Sequence, residues 1–120
     1  MNKTLDTPTV LIVGEDLGFI FWLGDIVTEA GCLSIPALNS LQAISFVREL
    51  KVEIDLLIVN PTLPGVSEMI QALNNAQHSF QIVSSADRAL EGAVLEPSAR
   101  QKWLQKVRQS LRDVQSTISK

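Results

Sequence analysis

An α/β three-layer sandwich, a doubly wound parallel sheet of five strands with helices on both faces, is the fold class predicted by this 120-residue sequence. Three observations predict it. Leu56-Leu57-Ile58-Val59 is apolar without alternation, which suits a strand buried on both faces, as in a parallel sheet covered by helices. Runs of this kind alternate along the chain with stretches whose apolar residues recur at helical spacing, and the connections between them are short. Finally, a content of 46% hydrophobic residues allows a single core without cross-links. Right-handed crossovers between successive strands then put helices on both faces. Residues 1–8 read as a polar lead-in ending at Pro8, residues 9–114 as one domain, and residues 115–120 as the end of the last helix or the start of a linker.

The elements follow in order. Thr9-Val10-Leu11-Ile12-Val13 is the first strand, ended by Gly14-Glu15-Asp16. Phe19, Trp22, Leu23, Ile26, Val27 and Ala30 then fall on one helical stripe, which Gly31 closes as a C′ residue. Leu17, Ile20, Phe21 and Gly24 occupy the other side, where charged residues are the norm, so this first helix is expected to present an interface. Cys32-Leu33-Ser34-Ile35-Pro36 is a second strand, placed at an edge by its proline. Asn39 or Ser40 caps a second helix whose inner side is Ala43, Ile44, Val47 and Leu50.

After the central strand, Met69, Ala72, Leu73 and Ala76 mark a third helix. Residues 80–85 form a fourth strand ending in hydroxyls, and residues 87–92 leave room for a fourth helix of only about one or two turns. Ala93-Val94-Leu95 is a brief fifth strand. Ser98 and Gln101 form a capping box for a long last helix with Leu104, Val107, Leu111, Val114 and Ile118 inside. Arg100, Lys102, Lys106, Arg108 and Arg112 form its solvated basic face.

The totals exclude several classes. A net charge of −3 with 19% charged residues provides no basic stripe, so no nucleic-acid partner is expected. The single cysteine, Cys32, forms no internal disulfide and reads as a small buried hydrophobe rather than a reactive thiol. Residues 1–6 lack the apolar core of a signal peptide, and no segment is apolar for long enough to span a bilayer, so a soluble cytoplasmic protein without a membrane partner is expected.

Chemistry concentrates where the strands end, since ligands of open α/β sheets bind beyond the carboxyl ends of the strands. Gly14-Glu15-Asp16, Asn60-Pro61-Thr62 and Ser84-Ser85 meet there, bordered by Glu96-Pro97. Glu15 and Asp16 bring oxygen ligands for Mg2+, but an amide at Asn60 is a weaker ligand than a carboxylate, so Mg2+ binding is weak at most and no cofactor is expected. The loop 14–18 lacks both the glycine-rich dinucleotide fingerprint and a phosphate-binding lysine. His78 has no second histidine for a metal pair and lies at the far end of a helix from these loops, which excludes a Ser/His/Asp triad.

These segments resemble the response-regulator receiver domain, the CheY-like module of two-component signalling, over about residues 9–113. Val10 to Asp16 is similar to the family's first strand and acidic pair, Asp55 to Asn60 with Pro64-Gly65 to the phosphoacceptor strand and loop, Val83 to Ala86 to the strand bearing the hydroxyl, and Glu96-Pro97 to a Lys-Pro step. The resemblance implies a flavodoxin-like sheet of order 2-1-3-4-5 with a shortened fourth helix. It also implies that the phosphoacceptor position holds Asn60, an amide that forms no acyl phosphate. The acidic pair falls on Gly14 and Glu15, or after a one-residue slip on Glu15 and Asp16. Ser85 keeps the hydroxyl, whereas the lysine position holds Glu96, whose charge repels a phosphate dianion.

The reading that follows is an atypical receiver, or pseudo-receiver: not an enzyme, acting by phosphorylation-independent contact with a histidine kinase, an output domain or a second copy through the first helix. One alternative is a phosphorelay receiver that uses Glu15 or Asp16 with Mg2+. Metal-assisted hydrolysis around Glu15, Asp16 and Ser85 ranks last, because no nucleophile, base and positioning residue stand together in the sequence.

Overall fold

The computed structural model describes residues 7–51, 53–76, 80–84 and 99–118. Its elements run β1 (Thr9–Val13), α1 (Leu17–Glu29), β2 (Leu33–Ala37), α2 (Ser40–Leu50), β3 (Leu56–Val59), α3 (Val66–Ala76), β4 (Gln81–Ser84) and α4 (Ala99–Ile118). The four described strands are parallel and ordered β2-β1-β3-β4, with Leu11 opposite both Ile35 and Leu57 and Val59 opposite Ser84. The expected fifth strand and short fourth helix, together with Ser98, His78, Ser85 and Glu96, lie outside the described residues.

The missing alternation in β1 and β3 has a direct physical cause, which is that both faces of these strands are buried. Val10, Ile12, Leu56 and Ile58 point to one side and pack with Leu23 and Val27 of α1 and Trp103 and Val107 of α4. Leu11, Val13, Leu57 and Val59 point to the other, against Ala43 and Val47 of α2 and Met69 and Leu73 of α3. The result is the expected three-layer arrangement, with α1 and α4 on one face and α2 and α3 on the other.

Local signals set the ends of the helices. Asp16 caps α1, its Oδ1 accepting from the Phe19 N–H at 3.1 Å. At the other end the Gly31 N–H donates to Thr28 and the Cys32 N–H to Val27, a Schellman closure that puts Gly31 at φ +90°. Asn39 caps α2 through the Gln42 N–H at 2.8 Å, and Gln42 Oε1 in turn accepts from the Leu38 N–H at 2.7 Å. α2 ends on Lys51 at φ 54°, a left-handed conformation that glycine adopts more readily.

Four expectations require correction. Ile20, assigned to the outer side of α1, is 1% exposed and belongs to the core beneath α1 and α4. α1 packs on the sheet and also sideways against α4, so its buried arc is wide: at about 100° per residue, Phe19 to Ala30 and Ile20 together span about 160°. Gly24 is half-buried rather than outward, since a Cβ there would lie 3.5 Å from Ser34 Oγ of β2. Leu50, expected inside, is 57% exposed at the last turn of α2. Arg100 is not simply solvated: its guanidinium binds Glu29 and, at 3.4 Å, Asp25, tying α4 to α1. The hydrogen bond to Glu29 and the two nearby carboxylates hold the Arg100 guanidinium even more firmly protonated than usual.

Candidate functional site

The strand order reverses between β1 and β3, and ligand crevices of doubly wound sheets form outside the strands' carboxyl ends at such a switch point. Backbone hydrogen bonds continue past the strands and lock the loops together. The Gly14 N–H donates to Ala37 O at 3.1 Å and the Asn60 N–H to Val13 O at 3.4 Å. Gly14 and Asn60 therefore end adjacent strands, side by side, as the sequence predicts.

The Asn60 side chain is committed to its own loop. Its Oδ1 accepts from both the Thr62 N–H, at 3.0 Å, and the Thr62 hydroxyl, at 2.8 Å, and the Leu63 N–H closes the turn on Asn60 O at 3.1 Å. Gly14 has ordinary negative φ, and a Cβ there would meet only Ile20 at 3.7 Å, a normal contact. Neither backbone nor packing demands glycine at this position.

The acidic pair is also divided. Asp16 is occupied as the α1 cap, whereas Glu15 is exposed and borders a groove between α2 and the loop that leads into α3. Among the described residues, no group of three or more His, Cys, Asp or Glu side chains is arranged to hold a metal ion. Ser84 stands at the end of β4 next to β3; Ser85 and Glu96 lie outside the described residues.

Of the interface candidates, Leu17 and Phe21 lie one turn apart on α1 and are exposed, Phe21 by 62%. Cys32 is buried at the amino end of the sheet, where burial, and secondarily the charge of Asp55, pushes its thiol above the ordinary range. Asp55 is itself a structural anchor there, its Oδ2 accepting from the Thr9 N–H at 2.8 Å. Sequence reasoning left Trp103 out of the inner stripe of α4, yet it is among the largest fully buried side chains and stacks edge-on against Phe19 with ring centroids 6.0 Å apart. Its place one residue before Leu104 and four before Val107 was the available signal.

No protein-family model matches the sequence. No curated protein is significantly similar to it. Solved structures are similar in fold. The receiver domain of a Clostridium thermocellum response regulator superposes with a TM-score of 0.67 at 12% identity, over 92% of this chain and 98% of that one. The chemotaxis response regulator CheY4 of Vibrio cholerae gives 0.65 at 16% identity, over 88% and 99%. The signal receiver domain of an HD domain-containing protein from Pseudomonas fluorescens Pf-5 gives 0.58 at 17% identity, over 92% and 98%. At these identities the similarity concerns the fold: the chain has the CheY-like fold of response-regulator receiver domains. No described helix is long and apolar enough to cross a membrane.

Proposed function

We propose that this chain is an atypical, cytoplasmic receiver-type signalling module that works by phosphorylation-independent protein–protein contact. The observation that carries the reading is Asn60. An amide has no carboxylate oxygen with which to form an acyl phosphate, and the Oδ1 of this one is held by two donors of Thr62. The loss of an acid at Gly14, where the geometry would accept one, supports the same conclusion. So does the use of Asp16 as a helix cap, which also weighs against acceptance of a phosphoryl group by that carboxylate. The role involves no catalytic step and no Mg2+ requirement. Leu17 and Phe21 form the exposed apolar part of α1 available to a histidine kinase, an output domain or a second copy.

Intact-mass spectrometry after incubation with Mg2+ and acetyl phosphate tests the reading, with a Gly14→Asp, Asn60→Asp double variant run in parallel. The native chain is expected to gain no phosphoryl mass, and the double variant to gain one acid-stable, base-labile adduct. An equivalent adduct on the native chain means that Glu15 or another carboxylate accepts the phosphoryl group, and the proposal falls.

A further inference from the structure

A second surface, separate from Leu17 and Phe21, is built for binding. A groove of about 460 Å³ opens between the start of α2 and the loop that leads into α3. Its walls are mainly Leu41, Ile44, Leu63 and Pro64, and among the described residues the charged side chains lining it are Glu15 and Glu68. Leu41 is 79% exposed although it stands at the second position of a well-capped helix, so a large aliphatic side chain is displayed at the rim on a rigid support.

The groove is also preformed. Ser40 Oγ donates to Pro64 O at 2.9 Å, stitching α2 to the opposite wall across the sequence. Gly65, at φ +77°, lies against the same helix end: a Cβ there would be in ordinary contact with Ser40 Cβ, at 3.4 Å. Substituting Gly65 would strain the backbone at this positive φ.

We infer that this groove binds a basic amphipathic helix, one or two large apolar side chains entering between Leu41, Ile44 and Leu63 while flanking Lys or Arg residues pair with Glu15 and Glu68. Charge complementarity selects this occupant. An apolar trough bordered by the carboxylates of Glu15 and Glu68 disfavours an acidic segment and favours a cationic one, and a helix delivers apolar anchors at i and i+3 or i+4 with basic residues beside them. The volume falls in the range of sites that enclose a compact apolar group. The inference rests on the reading of the chain as a protein-binding module, but uses a different face and does not require that the chain be unable to accept a phosphoryl group.

The test uses a synthetic 18-residue peptide of leucine and lysine with its leucines on one helical stripe, beside a scrambled peptide of identical composition. Binding is followed by fluorescence anisotropy and by amide chemical shifts of the labelled full chain. The patterned peptide should bind saturably, with shifts centred on Leu41, Ile44, Leu63 and Glu68. Leu41→Ala should weaken it by about tenfold, the effect of removing an anchor contact. A Glu15→Gln, Glu68→Gln variant should weaken it similarly and flatten its salt dependence. All three positions other than Ile44 and Leu63 are exposed, and thermal unfolding of each variant confirms the fold. Equal binding of the scrambled peptide, shifts centred on Leu17 and Phe21, retained affinity in either variant, or closure of the groove by a second copy of the chain would each overturn the inference. A phosphoryl adduct on the native chain would remove the proposed signalling mode and leave this result standing.

Discussion

The rotational setting of α1 decides which of its residues belong to the core and which to a partner, and the neighbouring pair Ile20 and Phe21 tests it. Ile20 is 1% exposed in the cluster with Leu23, Trp103 and Leu104. Ile20→Ala removes three buried carbons, about 2.4 kcal/mol at ~0.8 kcal/mol each, and leaves a cavity that brings the loss to about 3 kcal/mol. Phe21 is the larger side chain, but at 62% exposure its truncation should cost about 1 kcal/mol or less. With roughly 4 °C of midpoint per kcal/mol for a domain of this size, Ile20→Ala should lower the melting temperature by about 12 °C and Phe21→Ala by no more than about 4 °C. Urea titrations should give the same ordering with an unchanged slope. If Phe21→Ala is as damaging as Ile20→Ala, the helix is turned by about one residue from the position described, and Phe21 is not available to a partner. The outcome also determines which variant can be used as a probe. A charge at Ile20 would disrupt the core and abolish binding for reasons unrelated to an interface, whereas Phe21→Lys alters only the surface.

Further outcomes follow from local geometry. Gly31→Ala places a side chain at φ +90° with nothing within 4 Å to obstruct it, so the loss of about 1 kcal/mol is purely conformational, and Lys51→Gly, relieving φ 54° at the end of α2, should gain about 0.5 kcal/mol; thermal melts of both should therefore move in opposite directions. Asn39→Ala removes the cap that Gln42 completes and should cost about 1 kcal/mol by chemical denaturation. Cys32 should resist iodoacetamide at pH 8 until denaturant is added, because burial keeps it a thiol. Since its folded value is raised, the folded state keeps the proton where the unfolded chain releases it. The associated stabilisation is present below the ordinary value of 9.0 and lost as pH climbs through the raised one, and a Cys32→Ala variant should lose this part of the alkaline decline.

Much of this was legible in the sequence because backbone demands leave strong local traces. A strand buried on both faces must be apolar throughout, so β1 and β3 stand out without any neighbour being known. Gly31 and Asn39 announce helix ends because each satisfies or accommodates particular backbone groups. Assignments that depend on a third layer were less legible. Ile20 lies at the border of an apolar arc widened by α4 packing beside α1, and Leu50 has an inward period but sits exposed at the last residue of α2. The same applies to Arg100, whose partners Asp25 and Glu29 are more than 70 residues away in sequence.

The candidate site follows the same division, and this bears on its function. The position of Asn60 could be read from the break between an apolar run and a proline-bounded loop, but the use of its side chain could not, because that depends on Thr62 folding back upon it. Likewise Glu15 and Asp16 read as one acidic pair, yet backbone geometry assigns Asp16 to the cap of α1 and leaves Glu15 beside Leu63 and Pro64 on the groove. The oxygen-bearing residues expected to meet at this edge are thus distributed among three structural tasks: a turn, a helix cap and the border of an apolar surface. A carboxylate engaged as a cap and an amide engaged in a turn both stabilise the loops at this edge of the sheet, and rigid loops favour binding by lowering its entropic cost. On the proposed reading, the edge that in a phosphorylated receiver would house chemistry instead holds one wall of a recognition surface in place.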